Sequence, residues 1–264
     1  MPATTGIVLI GGAVAGSAAG AALHRWPAGG TLREPRRSVC DTCSIELRVR
    51  DLVPVVSWVA LRGRCHACGA RIDPRVPLLE GLCAAIAVAV VHVHGLTVAA
   101  AILTVGCIAV VVGALVDLEH LVVPDRLTLP LAGLAILSIP LIAGPDRAAH
   151  TALWAVGLPL VLRILAAAAD RVGRARPVGG GDIKLLVGVL ALAGVSPHGP
   201  AAVLLGSVVL GGTVAVVGLA TGRVTRRSRL PFAPAIAVPF LIVVVAPERA
   251  AHLVTIFGGP SWFT

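Results

Sequence analysis

The sequence predicts an all-α, polytopic membrane protein of about eight spanning helices with one small polar loop. Three observations carry this. Of 264 residues, 57% are hydrophobic and only 13% charged, against about 25% charged in ordinary globular domains; mean hydropathy is +0.94. The apolar residues come in long blocks, most of them near the roughly 20 residues a helix needs to cross the hydrocarbon layer. The blocks are rich in Ala, Val and Gly, whose small side chains let helices pack closely where lipid supplies no hydrophobic drive between them.

In chain order the expected spans are residues 6–23, 78–93, 96–116, 121–143, 148–168, 183–195, 201–220 and 231–246, the sixth being short. Helices satisfy their own backbone groups in lipid, so a helical bundle follows. The first block could be read as a cleaved signal peptide, because Ala21 and Ala22 are small. However, no Lys or Arg precedes it and the first positive charge, Arg25, follows it, so a retained helix is expected.

The formal net charge is +9, and its distribution orients the bundle. Arginines crowd residues 25–75 and recur at Arg126, at Arg171, Arg174 and Arg176, and at Arg223, Arg226, Arg227 and Arg229. With alternating helices these clusters fall on one side, cytosolic by the positive-inside rule, which puts both termini outside. Nucleic-acid binding is not expected. The arginines are juxtamembrane, with four Phe, four Trp and no Tyr, and no recognition module is present. Topology and attraction to anionic lipid account for the charge.

The polar loop holds Cys40-Asp41-Thr42-Cys43 and Cys65-His66-Ala67-Cys68. Two C-x-x-C knuckles about twenty residues apart are the zinc-ribbon spacing, which brings four thiolates round a tetrahedral ion. Disulfides or a redox dithiol are the rival reading; the reducing compartment and the lack of a βαβ pattern count against them. Four thiolates fill the ion, so a structural zinc is expected, with His66 a bystander. Cys83 and Cys107 lie in apolar blocks and behave as small hydrophobes.

Carboxylates beside spanning helices are costly and need a reason. Asp117 ends the third apolar block and begins Asp117-Leu118-Glu119-His120-Leu121-Val122-Val123-Pro124-Asp125, and Asp182 sits in Gly179-Gly180-Gly181-Asp182-Ile183-Lys184. Both lie at the cytosolic level of the expected topology. Two close aspartates do not readily both ionise, so one can draw a proton from water while the other donates to a peptide carbonyl. The glycines would let a substrate strand approach. Two alternatives stand beside this reading: Asp182 as a first-turn helix carboxylate, and Asp117, Glu119 and Asp125 as turn or capping residues, with Asp125 paired to Arg126.

Together these stretches resemble the type IV prepilin peptidases, the GxGD class of membrane aspartic peptidases. Gly16-Ser17 with Arg25-Trp26-Pro27 is similar to the family's opening. Asp51, Pro54, Ser57-Trp58, Leu61-Arg62-Gly63-Arg64-Cys65, Cys68, Arg75, Pro77 and Glu80 match around the cysteines. The two aspartate motifs follow in order, then Leu230-Pro231-Phe232-Ala233-Pro234. The first knuckle lacks the proline often found after its first cysteine, and Ala233 stands where glycine is common.

The resemblance implies a catalytic pair, Asp117 and Asp182, with Gly179, Gly181, Lys184 and Asp125 as supporting motif residues. It implies cleavage of prepilin or pseudopilin leaders at the cytosolic face of the bacterial inner membrane. Many members then methylate the new N-terminus with S-adenosylmethionine, whose binding residues the sequence does not name. The expected division is a first transmembrane helix (1–23), a cytosolic four-cysteine zinc loop (24–77) and a transmembrane helical catalytic core (78–264). An ion-coupled transporter, or a non-catalytic zinc-bearing scaffold for a pilus or secretion machine, are the alternatives.

Overall fold

The computed structural model of the chain describes residues 2–25, 38–173, 178–225 and 228–256. Trp26 and Pro27 of the opening motif, and Arg174, Arg176, Arg226 and Arg227 of the basic clusters, lie outside the described residues. The chain forms two compact units, Met1–His92 and Val93–Thr264. Among the described residues there are helices and two isolated bridges but no strand.

The first unit contains α1 (Pro2–Arg25), a short 3-10 turn (Val49–Leu52), α2 (Val56–Ala60) and most of α3 (Arg75–His94). Helix α1 reaches α3 through small residues. A Cβ on Gly12 would lie 2.8 Å from the Cα of Ala84, and one on Gly16 would lie 2.7 Å from the Cα of Glu80. This is a small-xxx-small seam, which gains van der Waals contact only because the backbones come so near.

The second unit contains α4 (Val98–His120), α5 (Asp125–Leu137), α6 (Ile139–Ala143), α7 (Pro145–Ala152), α8 (Leu158–Arg171), α9 (Gly180–Ala193), α10 (Gly199–Ala220), α11 (Ala233–Val245) and α12 (Pro247–Ile256). Its core is α9, whose Leu185, Val189, Leu190, Ala191, Leu192 and Ala193 are fully buried. Gly188 faces α5 so closely that a Cβ there would come 2.8 Å from Leu131. Helix α9 therefore lies where the fold is densest, and it carries Asp182 in its first turn.

Five helices are long and apolar enough to cross a membrane: Thr5–Leu23, Arg75–His94, Val98–His120, Pro145–Arg171 and Gly199–Ala220. The expected span 121–143 is broken into α5 and α6 at Ser138, because Pro140 in the first turn of α6 has no N–H to continue the ladder. At 14 and 13 residues, α9 and α11 are about 20 Å long, short of the roughly 30 Å hydrocarbon layer. The Pro145–Arg171 helix contains one π turn, Leu153–Gly157. Pro159 lies just beyond it, and the wider turn gives its ring room against the carbonyl four residues back.

Candidate active site and cysteine centre

Helix α4 delivers Asp117 in its last turn, 5% exposed. The helix then stops abruptly. Leu121 adopts the left-handed conformation at φ 54°, and its N–H bonds the Asp117 carbonyl at 2.9 Å. For a leucine this costs about 1–2 kcal/mol, and it redirects the chain toward Val123 and the start of α5. One carboxylate oxygen of Asp117 accepts the N–H of Ala233 at 2.9 Å. Ala233 is the first residue of α11, so the bond comes from a helix N-terminus, where negative charge is favoured. This explains why the Pro-Phe-Ala-Pro stretch accompanies the aspartates, a link that its sequence position did not reveal.

Asp182 enters from the other side of the same seam. A Cβ on Gly181 would sit 3.1 Å from the Cβ of Val123 and 3.2 Å from its carbonyl oxygen, so glycine lets α9 lean on the chain that follows Asp117. Gly179 makes room for the carboxylate itself: a Cβ there would lie 2.7 Å from Asp182 Oδ2. The glycines thus pack motif against motif.

Asp182 lies outside the five membrane-length helices. Burial pushes its carboxyl up to about 6, the negative charge of Asp117 adds to the rise, and the Gly179 N–H opposes it. Its Oδ1 is buried with no hydrogen-bond partner among the described residues. Such an oxygen is costly unless function requires it. A carboxyl pushed up in this way, beside a second carboxyl bonded to a helix N-terminus, is the kind of electrostatic separation that acid–base work by two carboxyls uses. The first-turn reading of Asp182 is correct as geometry, since it is the third residue of α9. It does not account for the raised carboxyl.

Asp125 begins α5, with Pro124 at the capping position, and its Oδ1 lies 2.6 Å from Lys184 Nζ. The four motif residues are thereby assigned places: Gly179 and Gly181 as spacers, and Lys184 with Asp125 as a tie between α9 and α5.

In the first unit the four cysteines converge, with all four Sγ atoms within 4.8 Å of one another. The two knuckles repeat one geometry. Val39 bridges Glu46 as Arg64 bridges Arg71. The Cys40 N–H reaches the Ile45 carbonyl at 3.0 Å as the Cys65 N–H reaches Ala70 at 2.8 Å. Each turn closes on a positive φ, Ser44 at 57° and Gly69 at 73°. Backbone N–H groups of Cys43 and then Thr42 push the Cys40 thiol down to about 6. Cys40 and Cys68 Sγ are 3.9 Å apart, close to the roughly 3.8 Å edge of a tetrahedron with 2.3 Å metal–sulfur bonds. All six cysteines are free thiols. The donor set fits a zinc ion. His66 turns aside, its Nδ1 2.9 Å from Asp51 Oδ2.

Comparison with known proteins gives two family matches: residues 10–94 to the Bacterial Peptidase A24 N-terminal domain and residues 104–216 to the Type IV leader peptidase family. Among curated relatives, the chain is 33% identical to the prepilin leader peptidase/N-methyltransferase of Stutzerimonas stutzeri, over 76% of this chain and 68% of the relative. It is 30% identical to the protein of that name from Bacillus subtilis, over 76% and 78%, and 34% identical to that from Aeromonas hydrophila, over 76% and 69%. No solved structure matches at the same stringency.

Proposed function

The chain belongs to the type IV leader peptidase family, and from that premise we propose that it cleaves the leaders of prepilin-like precursors with Asp117 as base and Asp182 as acid. The carrying observation is the setting of the two carboxyls. Asp182 is raised by burial and by Asp117, while Asp117 accepts an N–H from the start of α11. The Asp117 carboxylate takes a proton from water as the oxygen attacks the scissile carbonyl. The Asp182 carboxyl donates to the carbonyl oxygen to give a gem-diol; as the C–N bond breaks, the proton gained by Asp117 goes to the departing amine and a diol hydroxyl returns a proton to Asp182. The Gly179-Gly180-Gly181 run gives an extended substrate access to the pair, and the Lys184–Asp125 ion pair holds α9 to α5 at the correct spacing.

The protein crosses the membrane several times. Within that, we favour about eight passes of the bacterial inner membrane, taking α5 with α6 as one crossing, both termini outside and the cysteine loop in the cytosol. The arginine distribution supports this orientation. Substrates are prepilins or pseudopilins that dock from the lipid phase. Zinc bound by Cys40, Cys43, Cys65 and Cys68 would organise a loop with too few apolar residues to form a core of its own. N-methylation of the new N-terminus, with S-adenosylmethionine, is the second proposed activity, and relatives named as N-methyltransferases support it.

The test is mass spectrometry of a co-expressed prepilin's N-terminus. The wild-type protein should give a cleaved product, and Asp117→Asn and Asp182→Asn, inserted at wild-type level, should leave the leader in place. Full processing by both single variants would overturn the assignment.

A further inference from the structure

The four clustered cysteines are not equally placed. Cys65 is buried, with its Sγ 3.5 Å from the Ala67 N–H, and Cys40 is half-buried. Cys43 and Cys68 are exposed. Each knuckle therefore turns its second cysteine outward, and the outer edge of the cluster is one sulfur from each knuckle, the two lying within 4.8 Å of each other. Thiolates react with oxidants according to their charge and their exposure. A metal-bound thiol is held deprotonated, so in the zinc-loaded loop the outer pair is charged, accessible and adjacent. Cys83 and Cys107 are fully buried in apolar helices and offer no such access.

The anchoring of the two knuckles also differs. The first closes on itself: the Ser44 N–H donates to the Cys40 carbonyl at 2.8 Å and the Leu47 N–H to the Ser38 carbonyl at 2.9 Å. The second closes in the same way and is bonded outward as well. His66 Nδ1 lies 2.9 Å from Asp51 Oδ2, and the Trp58 indole N–H donates to the Ile72 carbonyl at 3.3 Å. The cluster thus joins a self-closed knuckle to an anchored one, and a covalent bond between Cys43 and Cys68 would span the same join. Closing their separation to the roughly 2.0 Å of a disulfide asks for rotation of two exposed side chains.

We propose that Cys43 and Cys68 form a reversible oxidation site, at which a peroxide converts the zinc-bound pair to a disulfide that takes over the metal's task of holding the two knuckles together. This rests on the reading that the four cysteines hold zinc. One thiolate sulfur attacks a peroxide oxygen, the O–O bond breaks, and a sulfenic acid and hydroxide result. The second thiolate attacks that sulfur, the S–O bond breaks with hydroxide leaving, and the S–S bond forms. The two sulfurs give up two electrons, and the peroxide takes them. With two of four ligands lost, Cys40 and Cys65 no longer retain the metal, which departs as the divalent ion. Thiol reductants reverse the disulfide by exchange, and the freed thiolates bind zinc again.

The test treats the zinc-loaded, full-length protein in detergent with hydrogen peroxide. Released zinc is followed with a chromogenic chelator, disulfides are mapped by mass spectrometry, and the loop is probed by limited proteolysis. Zinc release should track a Cys43–Cys68 disulfide one to one, Cys83 and Cys107 should remain thiols, and a dithiol reductant with added zinc should restore the metal. In untreated protein an alkylating reagent should modify Cys43 and Cys68 at least tenfold faster than Cys40 and Cys65. Reduced protein stripped by a chelator should be cut within residues 38–72 at least tenfold faster than oxidised, zinc-free protein, because only the latter keeps its knuckles joined. Protein that keeps its zinc under peroxide sufficient to oxidise a model dithiol would overturn the proposal and leave the metal site standing. Protein that purifies without zinc and takes none up would overturn both. Disulfides confined to Cys40–Cys43 and Cys65–Cys68, or sulfinic acids in place of any disulfide, would overturn the assignment of the outer pair.

Discussion

Replacing Asp182 by Asn should abolish cleavage and stabilise the protein. In the folded chain the carboxyl rises from 3.8 to about 6. A rise of about 2 units, at about 1.4 kcal/mol each, is about 3 kcal/mol against the charged form; partial exposure reduces it to about 2–3 kcal/mol. The sign follows from proton linkage. The folded state holds its proton more tightly than the unfolded state, so the favourable contribution is complete below about 3.8 and is lost as pH rises through about 6. At pH 7.5 the wild-type protein therefore carries the whole penalty and the Asn variant carries none. Melting followed in detergent should place the variant roughly 5–10 °C higher at pH 7.5, with the difference shrinking toward pH 4. Asp117→Asn removes the charge that adds to the rise, so the double variant should gain less than the sum of the singles. If Asp182→Asn melts at or below wild type at pH 7.5, Asp182 is not a strained acid and the division of roles is wrong. If the division is right, kcat/KM should also fall as pH climbs through about 6, where the acid loses its proton.

Three further outcomes follow from the packing and the cysteine centre. Gly181→Val should cut cleavage by tenfold or more without removing the protein from the membrane, because its side chain meets Val123 backbone and side-chain atoms already within 3.4 Å of a Cβ; wild-type rates would refute the close approach. Lys184→Asp and Asp125→Lys should each lower kcat, and the swapped pair should recover much of it. A double-mutant coupling of about 0.5–1 kcal/mol is expected for a pair this exposed, and zero coupling would remove the tie. Metal analysis of purified protein should give one zinc per chain, and Cys40→Ser with Cys65→Ser should lose it and expose the loop to proteolysis; full zinc occupancy in that variant would refute the site.

Much of the site was legible because each motif is local. C-x-x-C spacing fixes how two thiolates can share one ion, and each knuckle closes through bonds spanning only four or five residues. The aspartates could be marked because a carboxylate next to an apolar run is costly wherever the chain goes. Ala233 was less legible. Its backbone N–H, not its side chain, holds Asp117, and backbone donors leave no mark on residue type. The bond from the Val55 N–H to the Glu80 carboxylate at 2.7 Å was hidden for a similar reason: its donor is backbone, at a valine whose positive φ no turn preference predicts. The span 121–143 was one block by hydropathy and two helices in space, since apolar composition does not register the missing N–H of Pro140.

Composition and spacing were enough to establish a helical membrane protein with a four-cysteine loop and two aspartates at helix ends. These properties follow from solvent preference and short-range geometry, which any stretch of the chain carries with it. The approach of the Asp182 motif to the chain that follows Asp117, and the rise of the Asp182 carboxyl, were decided in three dimensions. They depend on Gly181 leaning against Val123, on burial of one carboxyl, and on α11 turning its first N–H toward the other. Each of these is a contact between segments far apart in the chain, and its energy exists only once the helices have packed.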